Sequence, residues 1–479
     1  MTKPPASVAL IVDQPDRDLA GMTLCAAELA SRGIRACLVS ASDRAREIWA
    51  LRPDLVLLFN LRRMQEPLVK LMMAAGIAVG LLDTEGGVWP DAQSYAELLF
   101  DDASLLRRIR PLCAWSPLLS RYLTEKGTFV EDQFRLTGCP RFDFYRPPWR
   151  AAAEGKQQGL RHILINTSFP EWNPRFGTHR EVMREFLTVH RWAEARIQAR
   201  IDGQREGMAA MIDIAQRLTN DFPSVPVVVR PHPFEKGDSY RDAFRGFPRV
   251  EINDTGSVQP KMFHALASIQ RGSTTAIEAG LAGVPALSPR WAPVSEEVPS
   301  SEDVSVQLAA YDELKQCVAT IVDGTYVAPE NVTRGLAAVI DEWFFRVDGD
   351  SYRRVADAVQ AHVPASRQVD ESACRKLLYG LPTADGSWAR RAPRWIRHKL
   401  RLTPDWSFRR FRAASSPAWT RTDQFFDAGR VQEILRGLAA VGPEGFSRVR
   451  AVPARESGAY ADNHLGYGVV IEPPSPSSL

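Results

Sequence analysis

What this chain lacks narrows it first. Its 479 residues hold no run of about 18 apolar residues, the length a bilayer-spanning helix needs. Its six cysteines, Cys25, Cys37, Cys113, Cys139, Cys317 and Cys374, form no C-x-x-C pair and no zinc spacing. Scattered through apolar surroundings, they read as reduced core thiols of a cytosolic protein. Sixty basic and 57 acidic residues leave a net charge of only +3, which gives no global signal for nucleic-acid binding. The N-terminus offers one lysine and a brief apolar run, Val8 to Val12, too short for a signal-peptide core. No short-period repeat is present. The length exceeds one ordinary core, so two domains and an extension are expected.

What is present alternates. Ser7–Val12, Ile34–Ser40, Leu55–Phe59 and Ile77–Leu82 read as buried strands, separated by helical patterns that end at Gly33 and Gly76. Such a βαβαβαβ series predicts a parallel sheet with helices on both faces. Residues 146–160, poor in apolar side chains, are the expected linker, and a second α/β series begins at His162–Asn166. The expected division is 1–150, 151–345, and a mainly helical basic extension over 346–479.

Two short runs dominate the second half. Val225–Val229 is a strand that stops at two prolines, placing Arg230 and His232 just past its carboxyl end, where open α/β sheets bind ligands. Further on, Gln270-Arg-Gly-Ser-Thr-Thr-Ala-Ile-Glu-Ala279 predicts a helix beginning at Ser273, Thr274 and Thr275. Free N–H groups and a partial positive charge at that helix start suit a phosphate. Thr275 and Glu278 also fit a capping box, so Glu278 faces either the ligand or its own helix end. Asn166, Thr167 and Ser168 follow the first strand of this half, and either reach the ligand across the cleft or cap a loop. In the first half, Asp83-Thr-Glu85-Gly-Gly87 follows the fourth strand; Asp83 and Glu85 are reactive carboxylates or turn formers. Arg141 and Asp143 either pair across a turn or contact ligand from the domain junction. Asp16-Arg17-Asp18 has the D-x-D form of a metal motif, but its place before a helix favours capping. Gly280 and Gly283 read as packing a helix closely on a strand.

Thr137-Gly-Cys-Pro-Arg-Phe-Asp143, Arg230-Pro-His-Pro233 and the Gln270–Ala279 run, on two doubly wound halves, resemble the bacterial surface-carbohydrate biosynthesis proteins. Those look like GT-B glycosyltransferases, akin to the β-Kdo transferases of capsule and lipopolysaccharide assembly. The His-Pro and Ser/Thr pair is also similar to that of bacterial sialyltransferases, which use CMP-sugars. The resemblance covers about residues 7–345. It implies a nucleotide-sugar co-substrate on the second half, a glycan or lipid-linked acceptor on the first, and no metal or other cofactor. His232, Ser273 and Thr274 would hold the donor phosphate, and Glu85 would face the reacting sugar.

The expected function is therefore a cytoplasmic, metal-independent glycosyltransferase acting on a surface polysaccharide or lipid-linked glycan, with a CMP-linked acid sugar as one donor. Its rivals are a nucleotide-sugar epimerase or glycerophosphate transferase on the same fold, and a non-catalytic protein that kept the nucleotide fold. Residues 388–412, crowded with arginine, tryptophan and phenylalanine, suit either an anionic membrane surface or a partner protein.

Overall fold

The computed structural model describes residues 5–87, 89–154, 160–190, 192–294, 297–364, 370, 372–374, 422–460 and 466–473. The basic stretch 388–412 and all but the first residue of the tail 473–479 lie outside the described residues. Unbroken aliphatic runs make the central strands buried on both faces, and shorter mixed runs make half-buried edge strands. In the first half these are β1 (Ser7–Val12), β2 (Arg35–Ser40), β3 (Leu55–Leu58), β4 (Ala78–Leu82), β5 (Leu112–Ala114) and β6 (Phe134–Leu136). All are parallel, in the order β2-β1-β3-β4-β5-β6. The second half carries β7 (His162–Asn166), β8 (Val227–Arg230), β9 (Val250–Ile252), β10 (Ala265–Ile269), β11 (Ala286–Pro289) and β12 (Val306–Leu308). They too are parallel, in the order β12-β11-β10-β7-β8-β9. Each sheet buries a hydrophobic cluster on both faces, so the fold is two doubly wound α/β domains facing a cleft. No helix among the described residues is long and apolar enough to cross a membrane.

The extension is not a separate body. After the helices Ser351–His362 and Ala428–Val441 come β13 (Arg450–Pro453) and β14 (Val469–Glu472). Strand β14 runs antiparallel beside β2, and β13 antiparallel beside β14, so the chain's end widens the first sheet to eight strands. Covering the β2 edge removes an unpaired row of backbone groups. The expected linker is also partly core: helix Trp149–Glu154 buries Trp149, whose ring meets Tyr352 edge-on at 5.2 Å and stacks on Phe446 at 5.9 Å. The long polar helix expected over about 181–218 is two helices, His179–Glu185 and Glu194–Asp221. Gly283 has φ +76 and ends its helix in the left-handed conformation, so its role is a C-cap rather than the expected close packing. Gly280 does serve packing, against Leu336 of a neighbouring helix and not against a strand.

Asp143 ties the extension to the first half. Its carboxylate does not pair with Arg141; it accepts the backbone N–H groups of Ser351 (3.1 Å) and Tyr352 (2.9 Å), opening the helix Ser351–His362. Burial pushes this carboxyl up to about 7, although the N–H bonds pull it down. Because the folded protein holds this proton more tightly than the unfolded chain, whose aspartates titrate near about 4, the group's contribution to stability falls as pH rises from about 4 to about 7. Asp143→Asn is expected to flatten that part of the stability–pH curve, read as urea-unfolding midpoints across the range. Asp143→Ala, which strands two buried donors, is expected to cost about 2 kcal/mol.

Candidate functional site

The two sheets point their carboxyl ends at one another. The loops after β1, β3 and β4 face those after β7, β8 and β10, and between them lies a cleft of about 470 Å³. Both sheets reverse strand order at β1 and β7, the switch points where open α/β sheets place ligands. Glu85, Arg141, Asn166, Thr167, Arg230, His232, Ser273, Thr274, Thr275 and Glu278 all line this one cleft. Asp83 does not.

On the second half, a buried carboxylate that the sequence reading missed shapes the turn after β8. Glu235 accepts the backbone N–H of His232 (2.9 Å), the hydroxyl of Thr167 (2.9 Å) and the hydroxyl of Tyr240. The backbone N–H of Phe234 donates to His232 Nδ1 at 3.2 Å, so in the neutral ring Nε2 carries the proton and is the donor. Arg230 is committed elsewhere: its guanidinium donates to the carbonyls of Asn253 (3.3 Å), Thr255 (3.1 Å) and Gly256 and to the Asn253 side chain. Asn166 donates to Ser268 Oγ at 3.0 Å.

The helix after β10 is Thr275–Ala282, and its start is more self-contained than expected. The Thr275 N–H donates to Ser273 Oγ at 3.3 Å, and the Ala276, Ile277 and Glu278 N–H groups donate to the carbonyls of Ser273 and Thr274 at 3.0–3.1 Å. The site therefore presents hydroxyls more than backbone N–H groups. The capping box does not form either. Glu278 turns away from its helix end and accepts the hydroxyl of Tyr145, from the other half of the molecule.

On the first half, Gly86 and Gly87 let the loop after β4 pass over Trp115; a Cβ on either would stand within 2.4–2.6 Å of the indole. That approach carries Glu85 into the cleft. Glu85 is gripped by Arg17 (3.2 Å) and Arg62. Burial alone would raise its carboxyl, but Arg62 and then Arg17 outweigh it and hold the group down at about 2, with His232 adding to the effect. Asp83 sits behind the loop, accepting the Glu85 N–H (2.9 Å) and the Tyr95 hydroxyl (2.7 Å), and burial lifts it to about 6. The D-x-D aspartates serve the fold: Asp18 accepts the Gln14 N–H (3.1 Å), and Asp16 accepts the Gly256 N–H (3.0 Å) and pairs with Arg430 (2.6 Å).

Five arginines line the cleft, and four are spoken for: Arg17 and Arg62 by Glu85, Arg200 by Glu171, Arg230 by its carbonyls. Arg141 is the exception. It is 7% exposed, its Nε has no hydrogen-bond partner, and it forms no ion pair among the described residues. Aromatic faces hold it, Phe142 at 4.6 Å and Trp115 at 5.8 Å. Cation–π contact is worth about 0.5–2 kcal/mol, less than the several kcal/mol that burying a cation costs. The Trp115 indole N–H is buried at the same cleft and also lacks a partner. Two buried donors at this cleft are thus without acceptors among the described residues.

No protein-family model matches the chain, and no curated protein matches it. Among solved structures it is similar to the UDP-GlcNAc 2-epimerase of Methanocaldococcus jannaschii in complex with UDP-GlcNAc and UDP, at 11% identity over 74% of this chain and 99% of that one, TM-score 0.46. It is similar to the Neisseria meningitidis UDP-GlcNAc 2-epimerase bound to UDP-GlcNAc, at 13% identity over 74% and 100%, TM-score 0.46. It is also similar to the wall teichoic acid polymerase TagF, at 10% identity over 76% and 90%, TM-score 0.49.

The clamp on Glu85 has a measurable consequence. Its folded carboxyl titrates below the unfolded value of about 4.3, so it adds stability that is present above that pH and lost as pH falls toward about 2. In Arg62→Ala the burial effect regains weight, and the Glu85 carboxyl is expected to titrate clearly higher in a carboxyl-carbon NMR titration. An unchanged titration would show that Arg62 does not set its charge.

Proposed function

We propose that the cleft takes the phosphate of a nucleotide-sugar donor and that the protein is a metal-independent glycosyltransferase of the GT-B type. The observation that carries this reading is Arg141, a nine-tenths buried cation without an anionic partner, in one cleft with His232 and the hydroxyls of residues 273–275. Positive charge and donors fixed in advance around the leaving phosphate favour the transition state, because nothing has to reorganise as negative charge builds up there. His232 Nε2–H and the Trp115 indole N–H are further donors for the same oxygens.

Glu85 stands on the opposite wall. A carboxylate at about 2 is a weak general base at neutral pH, which shapes its part. It stays ionised, accepts the hydrogen bond of the acceptor hydroxyl, and faces the positive charge that an oxocarbenium-like sugar develops. As the new C–O bond forms, the attacking oxygen becomes strongly acidic, and even a weak base then takes its proton. The bond from the sugar carbon to the phosphate oxygen breaks in the same event, and its electron pair leaves on the phosphate. A closed cleft keeps water from intercepting the donor.

The rival enzyme readings share the phosphate half and differ in the second substrate. An epimerase consumes the nucleotide-sugar without an acceptor; a transferase does not. Thermal shift with CMP, UDP, GDP and CDP identifies the nucleotide, since ligands of the native state raise its melting point by mass action. Arg141→Ala is expected to weaken that nucleotide by about 10–100-fold. His232→Ala is expected to raise the Kd with little loss of stability. Glu85→Gln is expected to keep nucleotide binding and lose turnover. Unchanged affinity in both Arg141→Ala and His232→Ala, measured by calorimetry, would remove the phosphate from this site.

A further inference from the structure

A second cavity, about 340 Å³, adjoins the cleft. Trp89 lines both spaces, and the chain passes from one to the other within a single step: Val298 lines the cleft, Pro299 and Ser300 the cavity. The volume falls in the range of small-ligand sites.

The walls of this cavity have the opposite character to those of the cleft. No lysine, arginine or histidine lines it, whereas Glu302, Asp303 and Glu342 do. Glu302 is spent on Arg271, Arg290 and Ser288. Asp303 and Glu342 are exposed and make no ion pair among the described residues. Asn331 and Gln307 add amides that both donate and accept, and Trp89 and Trp343 add indole faces. One feature of the wall is costly without a ligand. Ser300 is 4% exposed, and its hydroxyl has no hydrogen-bond partner among the described residues. Buried hydroxyls are usually paired, so this one is free to take a hydrogen bond from outside the chain.

We propose that this cavity binds a neutral saccharide unit, the end of the acceptor glycan; the proposal rests on the reading of the cleft as a nucleotide-sugar site. Sugar hydroxyls donate to Asp303 and Glu342, exchange hydrogen bonds with Asn331 and Ser300, and the apolar face of the ring lies on indole. Phosphates, nucleotides and acidic sugars are repelled by the same carboxylates, which sorts the two substrates between the two spaces. The shared wall couples them. The Trp89 indole N–H donates to the Glu85 carbonyl at 2.6 Å, so a sugar resting against Trp89 bears on the loop that holds Glu85.

The test uses the full chain and saturation-transfer NMR with glucose, galactose, mannose and N-acetylglucosamine, alongside glucuronate and glucose 1-phosphate. The expected result is transfer to at least one neutral sugar and none to the two anions. An Asn331→Ala/Glu342→Gln double variant, and separately Ser300→Ala, are expected to weaken the neutral sugar about tenfold or more, with the nucleotide thermal shift unchanged. Transfer to no neutral sugar, equal transfer to glucuronate, or binding indifferent to both variants overturns the proposal. If no nucleotide shifts the melting point while the neutral sugar still depends on these residues, the reading of the cleft fails and the saccharide site stands.

Discussion

A buried guanidinium with no carboxylate partner among the described residues sits where the two halves of the molecule meet. Arg141 lies on the short helix Pro140–Asp143, wedged between the domains. Its backbone carbonyl accepts from Gln259 (3.1 Å), its neighbour Phe142 meets Phe344 at 5.0 Å, and Tyr145 reaches across to Glu278. Each of these contacts crosses from one half to the other, so the segment that carries the unpaired cation also joins the domains. The other arginines of the cleft are met by carboxylates or by carbonyls. Where the fold could have supplied a carboxylate to Arg141, in Asp143 two residues on, it uses that carboxylate to open a helix instead. Among the described residues, no other carboxylate takes its place beside Arg141.

The frame of this arrangement was legible in the sequence because its signals are local. Aliphatic runs gave the strands of both parallel sheets, glycines gave helix ends, and the two prolines after β8 put His232 at a strand end. Ten of the eleven expected site residues line the cleft for one reason: each follows a strand or begins a helix, and a parallel sheet gathers such positions at one edge. Asp83 shares that position but turns inward, toward Tyr95, and the turn that follows carries Glu85, two residues on, into the cleft.

What escaped the sequence reading depends on residues far apart in the chain. Arg17 and Arg62 meet Glu85 across 68 and 23 positions, and Glu235 meets Thr167 across 68. No spacing rule links such residues. Glu235 in particular follows a Pro-His-Pro-Phe turn, where a glutamate ordinarily faces solvent; only the fold reveals that Thr167, Tyr240 and the His232 N–H converge on it. The strand pair β13–β14 escaped for a related reason. Its four-residue runs are short, and their partner, β2, lies over 400 residues earlier.

The same long-range contacts set how firmly each side of the junction is held. One side of the junction is apolar: Trp115, Phe142 and Phe344 pack with ring centroids 5.0–5.5 Å apart. The other side is polar: Arg430 of the extension pairs with Asp16, Asp16 accepts the Gly256 N–H, and the Gly256 carbonyl accepts from Arg230. Water can replace the Asp16–Gly256 hydrogen bond at little net cost, because such a bond contributes only about 1 kcal/mol once solvent competes for it. It cannot replace the packing of three buried rings. Of the two sides, the Asp16 side is therefore the more weakly joined, and the aromatic cluster holds the halves more firmly.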